Sequence, residues 1–347
     1  MKILLQTSIG FLLTIVLFIH NIHAQSIELC LYNVVNTFTI NSIPNDLSGV
    51  TYNQVSNTLF MVQNGDPTVY ETDLSGNVLR DIDLRSFEDT EGIVHIGGTR
   101  FAVAEERRGR VTFFDISANT NSVNYNNAAD YVELPAALGP WSGNNGLEGA
   151  TFYPLANKIF TVKEKTPKGY YAFTVPTSFP TTLSTSETEV VCDMTQNPFG
   201  LSDIADIHHL GLSGAIDPVT GTHTLLLSQE SNTLIEVDAN CNEISRLYLP
   251  TYMNQAEGVT MDNNGTLYIV AEPNLLYVFN RTPNLSIPDV PIAGNIYQAE
   301  LMINSTGEVP TGANVGFKAG EVILLDGGFT VQPQADFSAE IEDCDGN

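Results

Sequence analysis

The chain has 347 residues, with 40 acidic against 14 basic side chains and a formal net charge of −26. A polyanion of this kind is repelled by nucleic acid and by anionic membrane surfaces, which excludes both as partners. The balance suits a soluble extracytoplasmic protein with affinity for cations, long enough for one large domain and a small one.

Residues 1–24 read as an export signal: Lys2, the apolar run Phe11 to Ile19, and Ile22-His23-Ala24 before a cleavage point at Gln25. A signal anchor is the alternative, although the run falls short of the roughly 20 residues a bilayer needs. Cys30, Cys192, Cys241 and Cys344 match no zinc or redox spacing. One or two disulfides and free buried thiols are both open.

From Ser26 to Ile40 the chain is β-prone without helical period, and is expected to close a ring against the last blade. A phrase then recurs: a carboxylate or serine, a glycine, an apolar strand, a turn, a second apolar strand and a polar residue. Copies open at Ser48, Glu91, Glu148, Ser213 and Glu257. This spacing with all-β patterning predicts a five-bladed β-propeller over residues 25–283, six blades being the alternative.

Blade one is expected over Gly49 to Leu84, blade two over Gly92 to Leu134 and blade three over Gly149 to Met194. An insertion follows, from Thr195 to Gly211, carrying Asp203, Asp206, His208 and His209. Blade four is expected to begin with a strand at Gly214 to Asp217, and blade five runs from Gly258 to Asn280, one strand short. A proline-spaced linker, 284–291, leads to short strands over 292–347, read as a thin β-stack leaning on the propeller, a partner or Cys344. No helix of any length is predicted.

In a propeller blade the residue opening the first strand and the residue closing the second lie on one face of the ring. Those positions pair Glu91 with Glu105, Glu148 with Glu164, Glu257 with Glu272, Ser213 with Glu230 and Ser48 with Asn64. Carboxylates about 4 Å apart repel by about 4 kcal/mol per pair at a surface-like dielectric of about 20. Protons, basic partners such as Arg107, Arg108 and Lys165, or a cation must relieve this. An all-oxygen set favours calcium, and zinc is disfavoured because no His or Cys stands at these positions. The plainer reading makes each acid a loop residue capping backbone amides.

Asp203, Asp206, His208 and His209 could add ligands or an acid–base pair over the mouth, or form an ordinary edge strand. Trp141 could form a stacking wall or be a buried structural residue. No nucleophile elbow, phosphate loop or dinucleotide fingerprint appears.

Through Asp46-Leu-Ser-Gly-Val-Thr-Tyr52, Asp89-Thr-Glu-Gly-Ile93, Leu147-Glu-Gly-Ala150, Leu226-Leu-Ser-Gln-Glu-Ser231 and Ala256-Glu-Gly-Val-Thr260, residues 42–280 resemble the SdiA-regulated family of secreted or periplasmic propellers. The resemblance implies five blades, distant likeness to NHL-repeat proteins, a calcium site and no established activity. It points to Glu91, Glu148, Glu230 and Glu257 as ligands, with Glu105, Glu164 and Glu272 beside them. A weaker likeness to phytase-like and lactonase-like propeller hydrolases rests on the same Glu-Gly openings. The tail is similar to small β-stack modules of secreted Gram-negative proteins.

Three functions follow as expectations. The first is an exported calcium-binding scaffold or binding module, taking a small molecule, glycan or protein at the channel mouth, with association to the cell envelope. The second is a calcium-dependent phosphoesterase or lactonase. The third is a structural surface protein whose calcium only stabilises the ring.

Overall fold

The structure, a computed structural model, describes residues 26–126, 130–141, 143, 145–212 and 222–342. The expected export signal lies outside these residues. Five antiparallel sheets form the ring, each running from an inner to an outer strand. Blade one comprises Leu47–Asn53, Thr58–Gln63, Thr68–Thr72 and Val78–Arg85. Blade two comprises Thr90–Gly97, Arg100–Glu105, Arg110–Asp115 and Tyr131–Glu133. Blade three comprises Leu147–Tyr153, Lys158–Lys163, Gly169–Thr174 and Glu189–Cys192. The innermost strands touch in the cyclic order one to five and back to one.

Blade five has Ala256–Met261, Leu267–Ala271 and Leu275–Arg281, and its outer strand is the N-terminal Tyr32–Thr39, antiparallel to Leu275–Arg281. The N-terminal strand and the last blade thus share one sheet, as the sequence predicts.

Blade four departs from expectation. Its innermost strand is Asp206–His209, followed by Thr224–Ser228, Thr233–Val237 and Glu243–Tyr248. The segment read as an insertion therefore supplies the axial strand. The serine-opened copy at Ser213, with its strand 214–217, lies outside the described residues.

Most strands in this ring are buried on both faces, and consecutive residues serve different interfaces. Leu225 and Leu227 pack toward blade five, whereas Leu226 between them packs toward blade three. Ile93, Phe101 and Val103 face blade one while Val94, Ala102 and Ala104 face blade three. This explains continuous apolar runs in place of strict alternation. Outer hairpins are set by a repeated turn. Asp73 Oδ1 accepts the Ser75 and Asn77 amides at 2.9 Å, and Asp238 Oδ1 accepts those of Asn240 and Asn242 at 2.8 Å.

Two clasps tie blades together. Ser122–Asn124 adds in parallel to the outer strand of blade one, and Thr181–Thr182 adds to that of blade two. A Cys192–Cys241 disulfide joins blades three and four, and Cys30 is disulfide-bonded as well. No α-helix occurs among the described residues, and none is long and apolar enough to cross a membrane.

The C-terminal module is a parallel coil of strands. Asn284–Ile287, Met302–Ser305 and Val322–Leu325 stack on one side, and Asn295–Ala299, Asn314–Ala319 and Asp336–Ile341 on another. Its first strand falls inside the stretch expected to be linker. Ile287 and Ile292 enter the module's own apolar core beside Ile303, Val315 and Phe317, so that stretch packs as structure.

Candidate metal centre at the channel mouth

Glycine fixes the geometry of the mouth. A Cβ on Gly92 would lie 2.7 Å from the Glu148 carbonyl oxygen and 2.7 Å from the Gly149 Cα. On Gly49 it would lie 2.4 Å from the Glu91 carbonyl oxygen. The innermost strands approach so closely at the axis that a side chain there must displace backbone. The residue before each glycine then stands at the rim. Blade four has Asp206 at this level, its Cα 2.8 Å from where a Cβ on Gly149 would stand. The Asp206 carboxylate accepts the Val259 amide at 2.7 Å, and complete burial raises its pKa well above the usual range.

Closing residues are placed by a second repeated contact. The Asn64, Glu106, Glu164 and Glu272 amides donate to the carbonyls of Asp46, Asp89, Gly146 and Gln255, at 3.0, 2.9, 3.2 and 3.0 Å. The registers agree: Thr90 pairs with Glu105, Leu147 with Lys163 and Ala256 with Ala271, so the next residue in each case turns to the mouth.

A cavity of about 230 Å³ results, lined by Glu91, Glu106, Glu148, Glu164, Glu257 and Glu272 together with Ser48, Asn64, Arg107, Gln229 and Gln255. Five of the seven glutamates expected there are present. Glu105 is not: it is wholly buried one residue earlier, held by Arg108 at 2.6 Å, the Thr112 hydroxyl at 2.5 Å and the Glu88 amide at 3.2 Å. Glu230 stands outside, tied at 2.7 Å to Lys165, because Gln229 takes the closing position of blade four. Glu106 was hidden by adjacency: in the pair Glu105-Glu106 the sequence pattern selects the wrong member, and only the count from Ala256 to Glu272 carried over from Thr90 would find it.

Carboxylate oxygens of Glu106, Glu148 and Glu164 lie within 4.8 Å of one another, and those of Asp89, Glu91 and Glu106 form a second such group. Acidic clusters here could therefore hold a metal ion. Burial, then Glu106, pushes Glu91 up to about 8; burial, then Glu272, pushes Glu257 up to about 8; and burial brings Glu106 to about 7. Burial and then Glu91 hold Glu148 well above its usual value. Basic partners are few. Arg107 binds Asp89 at 2.7 Å, and Lys165 lies 2.6 Å from Glu164 Oε1. Glu164 Oε2 is buried without any hydrogen-bond partner.

His208 and His209 do not reach the mouth. His208 lines a separate pocket with His95, and His209 stacks on Tyr153 at 4.3 Å. Trp141 packs against Gly109 and the core shared by blades two and three.

The sequence model of the SdiA-regulated family matches residues 24–280. The chain belongs to the SdiA-regulated family. Among solved structures it is similar to a Myxococcus xanthus glutaminyl cyclase, at 11% identity and a TM-score of 0.48, covering 72% of this chain and 95% of that one. It is also similar to a luciferin-regenerating enzyme, at 11% identity and a TM-score of 0.43, covering 70% and 94%. A chain of a nidogen/laminin complex is similar at 8% identity and a TM-score of 0.41, covering 66% and 73%.

Proposed function

We propose that this SdiA-regulated propeller is an exported binding module whose channel mouth holds a calcium ion, with Glu106, Glu148 and Glu164 as its core ligands and Glu91, Glu257 and Glu272 around them. The observation that carries the reading is the buried, unpartnered Oε2 of Glu164 in a cavity where six glutamates meet. A carboxylate oxygen buried without a donor is costly unless a cation faces it. Oxygens on opposite sides of a calcium ion stand about 5 Å apart, since each bond is 2.3–2.6 Å, which suits the 4.8 Å grouping. The donors are all oxygens, the set that hard cations select. The mouth side of the ion would keep positions for an oxygen-bearing ligand. The disulfide between Cys192 and Cys241 supports an oxidising, extracytoplasmic compartment.

The test is thermal melting at neutral pH against calcium concentration. Calcium at 100 times its Kd should add about 2.7 kcal/mol and raise the Tm. The E148Q variant should lose most of that rise. A Tm indifferent to millimolar calcium removes the reading. Turnover of phosphoester or lactone substrates that disappears in E148Q would turn the binding module into a hydrolase.

A further inference from the structure

A second cavity, of about 330 Å³, lies where the C-terminal module meets the outer strands of blades four and five. The geometry points to a binding site for a neutral saccharide in this cavity, separate from the acidic mouth and independent of its cation.

The two walls belong to different modules and are pinned to each other. Asn33 Nδ2 donates to the Gln298 carbonyl at 2.8 Å, and the Thr251 hydroxyl donates to the Gly294 carbonyl at 2.7 Å. The space between them is therefore preformed, at a module junction and at the lower end of the roughly 300–1,000 Å³ range of small-molecule sites. One or two sugar rings match that size.

Its lining combines aromatic surface with amides. Tyr248 and Tyr252 from the propeller remain 52% and 48% exposed, unusual for large aromatic side chains beside a cavity. Tyr297 faces them from the module with its hydroxyl already donated to the Ala293 carbonyl at 3.1 Å, so its ring is what the cavity meets. The side-chain amides of Asn295 and Gln298 line the same space and make no hydrogen bond to a side chain or backbone group among the described residues. Each offers donors and an acceptor, the mixture that hydroxyl groups require. Aromatic faces accept the C–H face of a sugar ring as apolar surface.

Charge argues for neutrality. Arg246 is the basic residue of the lining, and its charge is paired with Glu243, which accepts from Nε and Nη2 at 2.6 Å, while Nη2 also donates to the Phe199 carbonyl at 2.8 Å. Asp289 is exposed at the rim and would accept from hydroxyls. With a net charge of −26 the chain repels anionic glycans. A neutral, polyhydroxylated ring fits what remains.

The experiment presents maltotriose, cellotriose and chitotriose to the full chain, in calcium and in EDTA, by saturation-transfer NMR and calorimetry. At least one should bind with a Kd of about 1 mM or tighter, equally well in EDTA. Y252A and Q298A, one on each wall, should each weaken it about tenfold or more, a loss of about 1.4 kcal/mol, while keeping the wild-type Tm and calcium response. Absence of transfer from all three at about 10 mM overturns the proposal. So does binding that EDTA abolishes, which would place the sugar on the mouth cation, and so does binding that both variants retain.

Discussion

At the scale of single residues, neighbouring glutamates have opposite roles. Glu105 and Glu106 are adjacent, yet one is locked in a buried ion pair with Arg108 and the other faces the acidic cavity. Removing the first should damage the fold and spare the cation. We expect E105A to lose about 3 kcal/mol of stability, the range for breaking a buried pair, while its calcium-induced Tm rise survives. E164Q should do the reverse: an unchanged or higher Tm in EDTA, because a buried charge is gone, and little response to calcium. Melting both variants with and without calcium checks the pair, and a calcium response kept by E164Q counts against the assignment. The sequence pattern alone reaches Glu91, Glu148, Glu164, Glu257 and Glu272 because each stands at a fixed step from a glycine or an apolar strand end. It misses Glu106 and misplaces Glu230 because side-chain direction in a strand flips with every residue, so one step of register reverses the face.

At the scale of elements, the glycine ring decides where the strands converge. A Cβ on Gly149 would lie 2.8 Å from both the Asp206 Cα and the Ile207 amide nitrogen, atoms that cannot rotate away. Gly149→Ala should therefore cost about 1–3 kcal/mol or more, as overpacking does. Gly327, where an added Cβ meets nothing within 4 Å, is the control, and its alanine variant should stay within about 0.5 kcal/mol of wild type. Urea midpoints compare the two, and equal midpoints would remove the steric account of the Glu-Gly phrase. Blade four shows the limit of reading such phrases. Its axial strand carries Ala205-Asp206 where three other blades carry Glu-Gly, so the repeated phrase is absent there and Ser213-Gly214 resembles it more closely. At the C-terminus short strands in a stack were legible, whereas their parallel pairing, at a repeat of about twenty residues, is set by stacking along the coil.

For the whole molecule, pH should act through two groups of opposite sign. Burial lowers His208 and His209 to about 3, against 6.5 in the unfolded chain. The unfolded state then binds protons the folded state refuses, so their contribution is present above about 6.5 and lost as pH falls toward 3. Glu91 and Glu257 are raised from 4.5 to about 8, so the cation-free fold keeps protons that the unfolded chain has released. Their contribution is present below 4.5 and lost as pH rises through 8. In EDTA the Tm should fall at both ends of the range. Calcium, by taking the place of those protons, should flatten the alkaline limb and leave the acid limb unchanged. Melting curves across pH with and without calcium read this directly, and alkaline limbs that coincide would contradict it.

What the sequence determined by itself was the repeat: turn chemistry, apolar strands and axial glycines are local, and each copy states them afresh. Family, ring, blade number and the closing N-terminal strand followed from that repetition. Which carboxylates meet was decided only by the tertiary structure. Convergence at an axis depends on the register of each inner hairpin and on how closely five strands pack, and neither is encoded within any one blade. The cavity beneath the C-terminal module belongs to the same class, since its walls are separate stretches of chain that become neighbours only after both modules have folded.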